Sequence, residues 1–279
     1  HSLREVAPRL ASTIEIAEWP GGTEPLEAAL WAQADCVTAT GSDATIESLR
    51  RRIPPRVRLV TYGHRVSVGY VTREMLGKRM LPEVVRAAAR DVADWDQLGC
   101  LSPHAFYVET GGRFAPDHFA EQLAEALAEI ETAEPRGPLP PERAAEIATR
   151  RSVYEIRAAN LDDTLIWSSP GSTAWTVVYE ANPDFRLPCG HRFVHVKPVG
   201  SVEDALKGLE SVRGQVSTVG LSAPGPREME LVTTFARWGV TRVCPLGHMQ
   251  APPLAWRHDG RPSLGDLLTW CDWEQPIRW

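Results

Sequence analysis

The chain has 279 residues, 43% hydrophobic and 24% charged, a balance that fits a globular protein and excludes a disordered or fibrous one. Its net charge of −6 argues against nucleic acid and anionic membrane surfaces as partners. No apolar run approaches the roughly 18–20 residues of an integral membrane span, and no signal peptide is visible.

Residues 13–17 read as a short strand before the turn Pro20-Gly21-Gly22, and a helix follows over 25–32. Residues 34–39 form a second strand, after which Thr40-Gly41-Ser42-Asp43 opens a helix running to residue 52. This passage can meet an anion or cofactor, since small residues allow close approach and free N–H groups gather at a helix start. An ordinary Ser/Asp N-cap gives the same pattern. Strands over 58–61 and 66–71 flank Tyr62-Gly63-His64-Arg65. The alternation predicts an α/β fold with a parallel, doubly wound sheet, although no GxGxxG turn marks a standard dinucleotide site.

A strongly amphipathic helix follows over 81–95, with Val84, Val85, Ala88, Ala89, Val92 and Trp95 recurring at three- and four-residue intervals. A strand covers 105–108. Between them Gly99 and Pro103 force a tight turn, so Cys100 sits on a defined loop held between two rigid elements. Further helices are expected over 116–131, 142–160, 202–209 and 228–238, and strands over 164–167, 175–180, 192–197, 216–221 and 242–245. The last 34 residues are rich in Trp and Pro; Trp256, Trp270, Trp273 and Trp279 fit a docking tail. Three regions result: a partial cofactor-binding domain over 1–75, a catalytic thiol domain over 76–245, and the tail over 246–279. The first region holds too few strands for a complete nucleotide-binding domain, which suggests a chain shortened at its N-terminus.

Five scattered cysteines, Cys36, Cys100, Cys189, Cys244 and Cys271, suggest reduced thiols in a cytoplasmic enzyme and no disulfide framework. There is no CxxC pair, and no metal site is expected. Cys36 and Cys244 fall in strands and read as buried thiols, whereas Cys189 and Cys271 lie in loops without a supporting pattern. Cys100 is the candidate nucleophile, active as thiolate, with His104, His64 and the positive charge of Arg65 as candidate partners. Asp91, Asp94 and Asp96 crowd the end of the helix before Cys100; Asp91 and Asp94, beside the apolar stripe, read as solvated, and the cluster does not read as a catalytic dyad.

Gln97-Leu98-Gly99-Cys100-Leu101-Ser102-Pro103 and the strand after it resemble the nucleophile region of LuxC-type acyl-CoA reductases, within the aldehyde dehydrogenase superfamily. Thr40-Gly41-Ser42 is similar to the superfamily's Gly-Ser turn at the nicotinamide. Tyr62-Gly63-His64-Arg65 stands where aldehyde dehydrogenases carry Glu-Leu-Gly-Gly-Lys. Trp175-Thr176-Val177, Arg192-Phe193-Val194, Thr218-Val219-Gly220-Leu221, Gly239-Val240-Thr241-Arg242-Val243 and Trp256-Arg257-His258-Asp259-Gly260 resemble further landmarks in the same order, so the likeness covers nearly the whole chain. It implies an aldehyde dehydrogenase-like fold: the C-terminal part of a Rossmann-like cofactor domain plus an α/β catalytic domain. It also implies an acyl-CoA or acyl-protein thioester substrate, NADPH (or NADH) as cofactor, and a homo- or hetero-oligomer. Cys100 would be the nucleophile, its backbone N–H an oxyanion donor and His104 an acid, while Thr40, Gly41, Ser42 and Gly63 would contact the cofactor. The glutamate that activates water in oxidising aldehyde dehydrogenases falls near Thr61, which cannot act as that base, a departure that favours a reductase. The family's N-terminal half, with the asparagine that helps bind the oxyanion, is missing. The rivals are an oxidising aldehyde dehydrogenase and a non-catalytic subunit that binds a partner.

Overall fold

The computed structural model describes residues 2–274, so Trp279 of the expected docking tail lies outside the described residues. The chain divides into two compact units, His1–Gly63 and His64–Trp279. The division falls before the strand Val66–Val71, whereas the sequence suggested a boundary after residue 75. That strand is fully buried within the larger sheet.

The first unit contains helices α1 (Ser2–Val6), α2 (Pro8–Ala11), α3 (Glu24–Gln33) and α4 (Asp43–Arg52), with strands β1 (Cys36–Thr40) and β2 (Arg58–Tyr62). The two strands pair in parallel, Cys36 with Arg58 through Thr40 with Tyr62. Trp31, Ile53 and Val57 form a small apolar core beneath them. Ser42 caps α4, its Oγ accepting from Thr45 N at 3.2 Å, and Arg50, Arg51 and Arg52 crowd the negative end of the helix dipole. Residues 13–17 are not a strand. A β-segment persists only with a neighbour to complete its ladder; here none pairs with it among the described residues, and Ile14 and Ile16 are exposed. Cys36 is half-buried, not sealed.

The second unit is built on a seven-stranded sheet in the order β5-β6-β7-β4-β3-β8-β9. Its strands are β3 (Val66–Val71), β4 (Pro103–Glu109), β5 (Thr164–Ser168), β6 (Thr176–Glu180), β7 (Phe193–Val199), β8 (Val216–Ser222) and β9 (Arg242–Pro245). Only the edge strand β5 runs antiparallel to its neighbour. Helices α5 (Leu81–Ala93) and α6 (Pro116–Ala133) cover one face, packing Val84, Ala88, Val92, Phe119, Leu123 and Leu127 against Phe106, Val108, Val194 and Val196. Helices α7 (Pro141–Asn160), α8 (Val202–Gly208) and α9 (Gly225–Trp238) supply the core of the other. With both faces covered, β3, β4 and β8 are buried at every position, which is why they read as near-continuous runs.

Two features matter beyond packing. The ladder slips by one residue on both sides of β3: Ser67 opposes Pro103 while Val68 opposes Ala105, and Val66 opposes Val216 while Ser67 opposes Thr218. His104 and Ser217 are therefore bulged residues at the amino ends of their strands. At the carboxyl ends, Glu109 is fully buried and accepts from Tyr70 Oη at 2.6 Å, Arg73 Nε at 2.9 Å and Arg227 Nη2 at 2.8 Å.

One carboxylate of α5 does not behave as expected. Asp91 is buried, not solvated, and accepts from Gly247 N at 2.5 Å and Met249 N at 3.0 Å, anchoring the loop after β9. Burial outweighs those bonds and pushes its carboxyl up to about 6. Cys244 is half-buried. Trp256 is partly covered, with the Arg242 guanidinium 5.6 Å from its ring, whereas Trp270 and Trp273 are 81% and 84% exposed.

Candidate active site

Helix α5 ends at Ala93, two residues earlier than its periodicity suggests, because Trp95, Asp96 and Gln97 enter the left-handed region at φ 57°, 50° and 61°. Each such residue without a glycine's freedom costs roughly 1 kcal/mol, so the turn persists only because its surroundings hold it. Three side chains do so. The Gln97 amide is buried, donating to Pro103 O at 2.9 Å and accepting from Phe193 N at 2.8 Å. Arg192, itself left-handed at φ 62°, reaches Asp96 at 2.8 Å and Glu131 at 2.8 Å. Gln250 Nε2 donates to Ser102 Oγ at 2.6 Å.

Cys100 is exposed on the turn these contacts fix, at the amino end of β4. Its carbonyl accepts from Ser67 Oγ at 2.8 Å. A side chain at Gly99 would come within 3.2 Å of Gln250 Oε1 and 3.4 Å of Ser102 Oγ, so the close approach favours glycine there. Partial burial, and then the negative charge of Asp259, push the thiol's pKa up. A thiol so placed rests protonated near neutrality and needs a base to become a nucleophile.

His104 sits on the bulge four residues on, almost buried, with Nδ1 lacking a hydrogen-bond partner. Burial first, and the nearby His64 second, pull its imidazole down to about 4, against the opposing effect of the Ser67 backbone. It is uncharged near neutrality, so the imidazolium proton expected of a resting acid is not there. His64 is exposed. Arg65 donates from Nε to Asp259 Oδ2 at 3.0 Å and from Nη1 to Gly214 O at 2.6 Å.

In the first unit Thr40, Gly41, Ser42 and Gly63 come together at the carboxyl ends of β1 and β2. Gly41 N donates to Tyr62 O at 3.2 Å. A Cβ at Gly41 would lie 3.3 Å from Thr45, and one at Gly63 would lie 2.6 Å from Asp43 Oδ1. Small residues at a strand's carboxyl end, facing a helix start, are chemically suited to a nucleotide cofactor. A cavity of about 380 Å³ opens at the other end of the large sheet, lined by Leu221, Val243 and Leu246, and does not include Cys100. Among the described residues no group of three or more His, Cys, Asp or Glu could hold a metal ion.

A family model described as acyl-CoA reductase (LuxC) matches residues 1–270. The chain belongs to the LuxC acyl-CoA reductase family. A long-chain acyl-protein thioester reductase of Aliivibrio fischeri is 21% identical over 279 residues, covering 97% of this chain and 53% of that protein. This LuxC chain thus spans about half the length of its curated relative. Among solved structures, a proline utilization A (PutA) mutant of Bradyrhizobium japonicum superposes with a TM-score of 0.65 at 15% identity, over 84% of this chain and 25% of that one. An indole-3-acetaldehyde dehydrogenase of P. syringae, in complex with NAD+, gives 0.59 at 15% identity, over 81% and 47%. An NAD-dependent benzaldehyde dehydrogenase of Corynebacterium glutamicum gives 0.56 at 13%, over 80% and 49%. The fold is aldehyde dehydrogenase-like, as the sequence suggested.

Within this LuxC domain, the sequence pointed to Cys100 and to the small-residue turn but missed Gln97, Ser67, Gln250 and Asp259. Gln97 and Asp259 stand inside the motifs that carry the family likeness, but without a role assigned to them; an Asp-Gly pair also marks a turn, and Asp259 is left-handed, at φ 51°.

Proposed function

We propose that the protein reduces an acyl thioester, acyl-CoA or acyl-protein, to the aldehyde through an acyl group carried on Cys100. The observation that carries this reading is an exposed thiol on a turn clamped by Gln97, Arg192 and Gln250. The thiol attacks the thioester carbonyl and expels the carrier thiol, leaving a Cys100 thioester. The Cys100 backbone N–H is the proposed donor to the oxyanion. His104 is proposed to assist as a neutral hydrogen-bonding group where the reduced intermediate releases aldehyde. NADPH, or NADH, is the proposed cofactor and supplies hydride when bound. Thr40, Gly41, Ser42 and Gly63 are the residues that would hold it. The first unit then serves cofactor binding, the second carries the thiol, and the Trp-rich tail serves docking within a homo- or hetero-oligomer. No helix among the described residues is long and apolar enough to cross a membrane, and a cytoplasmic location is proposed.

The oxidative direction is disfavoured by Thr61, which offers no carboxylate to activate water. The test mixes the intact protein with labelled long-chain acyl-CoA and no cofactor. Label is expected on the peptide containing Cys100 and is lost in Cys100→Ala; label elsewhere, or none, overturns the reading.

A further inference from the structure

The loop after β9 is pinned to helix α5. The buried Asp91 accepts from Gly247 N at 2.5 Å through Oδ2 and from Met249 N at 3.0 Å through Oδ1. Gly247 is left-handed at φ 89°, and a Cβ there would lie 3.0 Å from that of Ala87, one helical turn before Asp91. Arg242 fixes the same segment from the strand side, donating to Met249 O at 2.7 Å and to His248 O at 2.9 Å. A carboxylate and a guanidinium therefore hold the N–H and C=O groups of residues 247–249 by charge-assisted bonds. A buried carboxylate is costly, and stability alone is better served at such a place by apolar packing.

The next residue carries that placement to the thiol. Gln250 Nε2 donates to Ser102 Oγ at 2.6 Å, and its Oε1 lies 3.2 Å from where a Cβ on Gly99 would stand. Gly99 and Ser102 are the two ends of the turn that holds Cys100, closed by Ser102 N donating to Gly99 O at 3.0 Å. One amide thus meets both ends of the nucleophile's turn. Its backbone directly follows the Met249 N–H that Asp91 holds.

We infer that Asp91 is a positioning residue for Cys100, acting through residues 247–249 and the Gln250 amide. This rests on the thioester reading of Cys100 and names a remote group on which the acylation rate depends. Asp91 transfers no proton and takes part in no bond change. It fixes Gln250, and Gln250 keeps the turn, and with it the sulfur, aligned for attack on the thioester carbonyl. A misplacement of about 1 Å at a reacting atom costs about 100-fold in rate.

The experiment is a double-mutant cycle on the intact protein: wild type, Asp91→Ala, Gln250→Ala and the double variant. Single-turnover acylation of the Cys100 peptide by labelled long-chain acyl-CoA is followed by mass over a range of acyl-CoA concentrations. Urea unfolding gives the folded fraction. Each single variant is expected to lose about 100-fold in saturating rate per folded molecule, with the half-saturating concentration unchanged. The double variant is expected to lose no more than either single one, since both changes cut the same link. Asp91→Asn keeps one acceptor oxygen and is expected to fall between wild type and Asp91→Ala; it replaces the alanine variant in the cycle if that variant does not fold. Losses that multiply in the double variant overturn the inference, because the two residues would then act apart. So does an Asp91 variant that loses stability while its folded molecules acylate at the wild-type rate, since Asp91 would then only staple the loop. A wild-type protein that takes no label overturns the thioester reading. Iodoacetamide alkylation of Cys100 then decides the positioning: rates slowed in each single variant and no further in the double uphold it, and rates that multiply or stay unchanged overturn it.

Discussion

The side-chain carbonyl of Gln97 accepts the backbone N–H of Phe193 at 2.8 Å, joining the turn that carries the thiol to the start of β7. The same amide donates to Pro103 O at 2.9 Å, so one buried side chain satisfies the first backbone groups of two neighbouring strands. Replacing it by leucine leaves a buried N–H and a buried C=O unpaired, each costing about 1–3 kcal/mol. Gln97→Leu is expected to lower stability by about 3 kcal/mol in urea unfolding. It is also expected to slow alkylation of Cys100, because the left-handed turn has lost its clamp. Unaltered stability would contradict the clamp.

Two buried groups whose pKa values move in opposite directions offset one another. The His104 imidazole is pulled down from 6.5 to about 4, so the unfolded chain binds its proton first. Its contribution is full above about pH 6.5 and is lost as pH falls towards 4. The Asp91 carboxyl is pushed up from 3.8 to about 6, so the folded chain binds its proton first, and stability is lost as pH rises from 4 to 6. The two slopes oppose across the same window. Asp91→Asn is expected to steepen the loss of stability below pH 6, and His104→Gln to reverse it. Thermal melts between pH 4 and 7 measure both; parallel curves for the two variants would refute the pairing.

Glu109 carries a third pH signature. Burial alone would raise its carboxyl, but hydrogen bonds from Arg227, Tyr70 and Arg73 win and hold it down at about 2. Its contribution is present above the ordinary carboxylate range and is lost as pH falls through about 2. A displacement from 4.5 to about 2 corresponds to about 3 kcal/mol near neutrality. Glu109→Gln is expected to lose about that much at pH 7 and to flatten the acid limb of the stability curve. Equal acid limbs in the two proteins would count against the assignment.

Gly69 lies on β3 where the Phe106 ring packs over the backbone, and a methyl group there would collide with the ring. Gly69→Ala is expected to destabilise by about 2 kcal/mol through overpacking, with Phe106→Leu restoring part of the loss in the double variant. Melting temperatures of the four proteins decide the matter.

The strands of the large sheet were legible because burial on both faces leaves near-continuous apolar runs such as Val66–Val71, and Arg242–Pro245 coincides with its expected span. Residues 13–17 misled because alternation signals a half-buried surface without supplying a partner strand. Asp91 read as solvated because its acceptor role depends on Gly247 and Met249, 156 and 158 residues away. The roles of Gln97 and Asp259 stayed hidden for the same reason, since they meet partners 96 and 194 residues distant. Cys100 was visible because its turn is written locally, in Gly99 and Pro103.

The slipped registers flanking β3 fix more than an imidazole. Because side chains alternate across a sheet with a period of two, removing the one extra residue at His104 would bring everything upstream of Ala105 round by half a repeat. The turn that carries Cys100, held to Ser67 and Phe193, would then have to re-form against shifted partners. For this protein a single-codon deletion at that point is an error of register at the strand's amino end, and no rearrangement of neighbouring side chains could undo it.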